Sequence, residues 1–438
     1  MKAGHVAGVR HRLDIMSPPV LFGGMYLLFF GLTAIDVALV QDPTIYRLRY
    51  SFLHFQELSA SALSYVWFGY LVFVLGYYLP IGRAVAQAIP GRDSYISPGR
   101  ASIVTMVLFG ATFLTLVGFV QRFGIGRRQG IEDPTVDVSF LSVVGELSLI
   151  FFALGVWRFM LSRRRGTHKM SIGDALFVWC VMFPLQVAFS VWSGGRSALL
   201  IMFLIILLGY HYGYRRIRMR TLGLGVLLFA VLMGPSIVFL RDDRDVKDII
   251  EIASPAFVWG SVMARNSSLE GFTVTFEDLE NAPEPEDSLW LLLGSVIPRV
   301  LWSDKPVSLW MQEFSAWSGG SSEASFLPSL PGEFLLRFGY VGGLIAIMLL
   351  GVFWRVAFSV FIGFGERPFA WGFVYLILLS QGLSTVESGF VIPYGALLRL
   401  VVVGLATFFL VRTRRARPTR VTARLPERAV GAWLDRCL

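Results

Sequence analysis

Charge, cysteine and histidine are what this chain has least of. Only 16% of its residues are charged, and its 438 residues include 2 Cys and 5 His. A soluble globular chain is usually about a quarter charged, so this one has too little charge to coat a soluble particle of its size. Cys180 sits in an apolar run and Cys437 near the C-terminus, which excludes a disulfide framework and a cysteine metal site and leaves the redox compartment open. Internal repeats are lacking too, and the only low-complexity stretch is the arginine-rich tail.

Apolar side chains take up the difference. Hydrophobic residues make up 55% of the chain, with 37 Phe and 12 Trp, and the mean hydropathy is +0.63. A helix needs about 20 mostly apolar residues to cross the hydrocarbon core. Such runs lie near 20–40, 62–80, 101–121, 138–160, 173–191, 198–213, 221–240, 340–361, 369–385 and 393–411. The sixth is short, and the ninth is interrupted by Gly and Ser. Met1–Met16 is polar, and no small-residue cleavage site follows the first run, so it reads as a retained helix rather than a cleaved signal. The expected fold is an all-α polytopic membrane protein of about ten transmembrane helices.

Basic residues orient it. One set of short loops carries Arg83, Arg92 and Arg100, then Arg163–Arg165 and Lys169, then Arg215, Arg216, Arg218 and Arg220. The tail adds seven arginines between Arg412 and Arg428, whereas the alternate loops hold fewer cations. Both termini are therefore expected in the cytoplasm. The net charge of +9 is topogenic and suits an anionic inner leaflet, so nucleic acid is not needed as a partner.

One connection is long. The chain divides into a seven-helix membrane region (1–240), an outer, periplasmic loop between helices 7 and 8 (241–339), a three-helix membrane region (340–411) and a basic cytoplasmic tail (412–438). Long loops inside compact chains are often functional. This one is net acidic and holds two expected interfacial pieces, Ser288–Trp302 and Val307–Trp317, whose tryptophans suit headgroup depth.

The residues able to do chemistry lie on that outer side. Arg196, in Ser-Gly-Gly-Arg-Ser-Ala-Leu-Leu (193–200), sits at a tight turn between the fifth and sixth runs. Its planar fork of donors suits a diphosphate or a carboxylate, although an arginine snorkelling to lipid headgroups has the same sequence. Arg299 and Lys305 stand in Ile-Pro-Arg-Val-Leu-Trp-Ser-Asp-Lys-Pro (297–306), and Arg265 lies upstream. Glu333 and Arg337 are four residues apart, so on a helix they share a face and either pair or serve as base and phosphate ligand. Arg399 is a charge inside the tenth run, which calls for a partner, and Glu387 is the nearest candidate. No confident metal cluster or cofactor motif is present. Asp242, Asp243 and Asp245 are interleaved with arginines and read better as an exposed helix end than as a cation site.

Three segments carry a resemblance: the turn at 193–200, the stretch at 297–306, and Pro-Ser-Leu-Pro-Gly-Glu-Phe-Leu-Leu-Arg-Phe-Gly-Tyr-Val-Gly-Gly at 328–343. Together they resemble the oligosaccharide repeat unit polymerases, the Wzy-type O-antigen polymerases, over roughly 190–350. The resemblance implies a GT-C-like helical enzyme of the bacterial inner (plasma) membrane. Such an enzyme would use undecaprenyl diphosphate-linked glycans as substrates, with a chain-length regulator protein as a candidate partner. It implies diphosphate contacts for Arg196, Arg299 and Lys305 and a place for Glu333 at the catalytic mouth; Arg265, Arg337 and Arg399 are the further cations. An O-antigen ligase is the nearest alternative, but ligases are expected to use an outer-face histidine and the stretch 241–337 contains none. A transporter or flippase is the alternative from another class, and it would show paired halves.

Overall fold

The computed structural model describes residues 14–39, 59–88, 94–123, 138–165, 170–192, 196–223, 225, 268–285, 302, 310–318, 328–362, 372–389 and 391–414. Within them the chain is helical apart from one small ribbon. We number the elements α1 (Pro18–Leu39), α2 (Ala60–Tyr78), α3 (Pro80–Ala88), β1 (Ser94–Ile96), α4 (Pro98–Phe123), α5 (Val138–Arg165), α6 (172–192) and α7 (196–214). Then come α8 (Ser268–Glu277), α9 (Trp310–Trp317), α10 (Ser329–Phe361), α11 (Gly372–Ser388), α12 (Val391–Val411) and β2 (Arg412–Arg414).

Three helices, α1, α2 and α10, are long and apolar enough to cross a membrane, and shorter apolar helices lie within α4, α6, α7, α11 and α12. The expected crossing near 221–240 falls almost wholly outside the described residues. Large apolar side chains such as Leu71, Val107, Leu349 and Phe409 stand exposed on the outside of the bundle. That is the surface lipid requires and water does not favour.

Local sequence explains where helices start. Pro18 and Pro19 occupy the first turn of α1, where a missing N–H costs nothing. Ser59 caps α2 by accepting the Ala62 N–H at 3.3 Å, and Ser171 caps α6 by accepting that of Asp174 at 3.0 Å. Wide π turns interrupt α1 at Leu27–Gly31 and α6 at Phe177–Met182, and one closes α7 at Tyr210–Tyr214. In α10, Gly339 has φ 67° and ψ −175°, so the helix breaks there into two pieces.

The core is aromatic, with Trp157, Trp354, Tyr375, Phe22, Phe73 and Phe152 fully buried. Its closest helix crossing is α2 on α10. A Cβ at Gly76 would run into the Met348 carbonyl, and one at Gly351 into that of Phe73. Small residues let the two backbones touch, which is how helices associate where no hydrophobic drive exists. Gly76→Ala is therefore expected to cost about 1–3 kcal/mol by forcing the pair apart. Gly110→Ala on α4, where nothing lies within 4 Å, should be neutral or slightly stabilising. Thermal unfolding of the two variants in detergent checks this.

Contacts sort the elements into two ends. At the first end, His211 bonds Asp14 at 2.8 Å and the Tyr212 hydroxyl donates to the Met16 carbonyl at 2.7 Å. There too Arg355 lies 5.0 Å over the Tyr77 ring, and Arg158 pairs with Asp174 at 3.3 Å. β1 pairs antiparallel with β2, matching Tyr95 with Thr413, and the Ser97 N–H bonds the Val411 carbonyl at 2.8 Å. At the second end, the Tyr65 hydroxyl donates to the Tyr340 carbonyl at 2.8 Å and that of Tyr340 to the Phe276 carbonyl at 3.1 Å. Thus α1, α4, α6 and α11 start at the first end, whereas α2, α5, α7, α10 and α12 finish there. The described chain stands at the first end at Tyr214 and at the second at Ser268.

Candidate functional site

The second end holds the buried charges that the sequence singles out. Glu333 and Arg337 lie on the short first piece of α10, before the break at Gly339, one helical turn apart. Arg337 Nε donates to Glu333 Oε1 at 2.9 Å, and a terminal guanidinium nitrogen reaches the same oxygen at 2.9 Å. The side chains are only 12% and 2% exposed respectively, so this is not a surface ion pair. The Arg337 guanidinium also lies 5.7 Å from the centre of the Trp310 ring. Trp310 in turn donates its indole N–H to the Pro283 carbonyl at 2.9 Å. Trp310 is buried, with the Arg337 guanidinium against its ring.

The other carboxylate oxygen faces the α11–α12 junction. Gly389 has φ +79°, and a Cβ there would stand 2.6 Å from Glu333 Oε2. Glycine is required twice over, by conformation and by space. Ser329, at the first residue of α10, is the one non-glycine with positive φ among the described residues, at 64°. Such backbone is costly in a residue with a Cβ and collects at functional sites.

α8 completes this end. Phe272 packs on the first turn of α10, 3.4 Å from where a Cβ on Gly332 would be, and Tyr65 stacks on Phe272 with ring centres 5.9 Å apart. Phe272 beside Gly332 and Phe276 beside Tyr340 show that α8 and α10 run in the same sense. Glu270, two residues before Phe272, is 2% exposed and its Oε1 has no hydrogen-bond partner among the described residues. Burial pushes its carboxyl up to about 8. The sequence drew attention to Arg265 in the same stretch and passed over Glu270, since Ser-Ser-Leu-Glu reads equally well as an exposed helix start.

Of the other expected site residues, Arg196 opens α7 at the same end as Glu333, because α7 finishes at the first end with His211. Arg399 lies on α12, about 12 Å along the axis from Val391. Arg265, Arg299, Lys305 and the Asp242, Asp243 and Asp245 group lie outside the described residues. Among the described residues, no three or more His, Cys, Asp or Glu gather to hold a metal ion. Arg355, buried near the end of α10 against Tyr77, is a charge in a crossing helix that the apolar run concealed.

Chemically, the second end offers a guanidinium locked by a carboxylate and an aromatic ring, a backbone strained at Ser329, and a buried carboxyl with one oxygen unpartnered among the described residues. That combination suits an anionic group and a proton transfer in a site sheltered from water. No family model, curated protein or solved structure matches the chain.

Proposed function

We propose that the protein crosses the bacterial inner membrane ten times with both termini in the cytoplasm. In this reading it polymerises oligosaccharide repeat units carried on undecaprenyl diphosphate, at the membrane's outer face. One observation carries this: the start of α7 at Arg196 and the buried Glu333–Arg337 pair, from two separate motifs, stand at the same end of the bundle. A lipid diphosphate leaving group gains charge in the transition state, and fixed cations stabilise it more there than in the ground state. The acceptor hydroxyl must shed a proton to a carboxylate as it attacks. Arg196, Arg299, Lys305 and Arg337 supply the cations, with Arg265 and Arg399 as further candidates, and Glu333 anchors the mouth. The product is O-antigen, capsule or exopolysaccharide.

Deletion of the gene followed by glycan analysis tests this function. Surface glycan with a single repeat supports polymerisation, whereas accumulated lipid-linked long polymer means a ligase and overturns it. Orientation has its own test. A reporter active only outside the cytoplasm is expected to work when fused after Ala282 and to be silent after Thr221. The opposite pattern would move the second end to the cytoplasm and remove the proposed chemistry from the outer face.

A further inference from the structure

Glu270 is the buried ionisable group that the charges above leave unused. We propose that Glu270 is the catalytic base, taking the proton of the acceptor hydroxyl as its oxygen attacks the donor sugar, an inference that rests on the glycosyl-transfer reading.

The geometry favours it over Glu333, the other buried carboxylate of this site. A base must have a free lone pair directed at its proton. Glu333 Oε1 is committed to two nitrogens of Arg337 and its Oε2 abuts Gly389. Glu270 Oε1 is buried with no partner among the described residues. Leaving a buried polar atom unpaired is costly, and structures tend to carry that cost where the atom has work to do.

Its surroundings show the same shortage. Ser268 Oγ and Ser329 Oγ are also buried without partners among the described residues, in the first turns of α8 and α10. Since α8 and α10 run in the same sense, Glu270 stands about 3 Å before Phe272 along the axis, level with the first turn of α10. Buried polar atoms without partners among the described residues thus lie on α8 and at the strained Ser329 start of α10 at similar heights, with Glu270 on a different side of α8 from Phe272. An acceptor sugar, rich in hydroxyl groups, has the donors and acceptors to satisfy them.

The step balances. The acceptor oxygen forms a bond to the donor's anomeric carbon and gives its proton to Glu270. The bond from that carbon to the diphosphate breaks, and the lipid diphosphate leaves with the electron pair. Glu270 then returns the proton to solvent. Toward the second end, the titratable groups on elements packed against α8 include Tyr65 on α2, Asp36 on α1, Glu333, Arg337 and Tyr340 on α10, and Glu387 on α11, with Glu277 on α8 itself. Burial holds Glu270 up to about 8, near the working pH, where a general base is most effective.

The test uses membranes from a strain that supplies its own lipid-linked repeat units, with polymer formed measured per membrane-embedded protein between about pH 6 and about pH 9. The base must be deprotonated, so the wild-type rate should rise with pH and level off above about 8. Glu270→Gln matches the neutral acid in shape, so it should be at least about 100-fold slower than the wild type on the alkaline plateau, lack the limb, and approach the wild-type rate at the acid end. A wild-type rate with the wild-type pH limb in Glu270→Gln overturns the inference. If that variant is missing from the membrane, Glu270→Asp decides. A slowed rate with a displaced limb supports the role, and an unchanged rate and limb refute it. Failure of the function reads differently, because wild-type membranes would then make no polymer that deletion membranes lack.

Discussion

Arg196→Lys removes nearly all polymer while the protein stays at its normal level in the membrane. That is the expected result if the guanidinium at the start of α7 grips a diphosphate. Lysine keeps the charge but presents a point rather than a planar fork, so it cannot reproduce two parallel hydrogen bonds. A contact made mainly in the transition state is worth about 3–4 kcal/mol, or about 10²–10³-fold in rate. Arg196→Ala should be at least as severe. A lipid-snorkelling arginine gives the contrary result, since lysine snorkels as well and the variant would polymerise normally. Polymer ladders and immunoblots of the same membranes distinguish the two.

Breaking the buried pair at the other motif should have the second large effect. Had Glu333 and Arg337 been exposed, their pairing would be worth about 0–1 kcal/mol and Glu333→Gln would be mild unless Glu333 were catalytic. With side chains 2% and 12% exposed, removing one partner strands the other charge, at a cost of about 3–5 kcal/mol. Glu333→Gln is therefore expected to lower both protein level and polymer, which does not separate support from chemistry. Replacing both, as Glu333→Leu with Arg337→Met, leaves no stranded charge and is expected to restore protein level. If Arg337 holds a phosphate, polymer stays lost in the double variant by about 10²-fold or more. Restored polymer along with restored protein would reduce the pair to a structural clamp.

Apolar helices were legible because hydrophobic runs need no partner to be recognised, although among the described residues only α1, α2 and α10 are long and apolar enough to cross a membrane. The run expected at 340–361 begins one residue after the break at Gly339, and the last run ends at Val411, where α12 ends. Elements defined by contact were not legible. Arg412–Arg414 reads as the start of a basic tail, yet it pairs with Ser94–Ile96, about three hundred residues away. The spacing of Glu333 and Arg337 announced a shared face, but their depth depends on Trp310 and Gly389, which come from other elements. Glu270 was hidden for a related reason. A carboxylate in the first turn of a helix is ordinarily a dipole-stabilised surface residue, and only the packing of α8 among α1, α2, α10 and α11 takes it from water.

The break at Gly339 also bears on how the protein fits its bilayer. An unbroken α10 of 33 residues would be about 50 Å long, well beyond a hydrocarbon core of about 30 Å. Such a helix would have to tilt steeply or thicken the lipid around it. From Tyr340 to Phe361 the helix spans about 33 Å, which matches the core with little mismatch. The ten residues before the glycine are then outside the length that lipid thickness governs. Their position is set by Trp310, Phe272 and Gly389 instead. Transfer between membranes of different thickness should therefore change the tilt of the crossing segment while leaving the Glu333–Arg337 mouth in register with its neighbours.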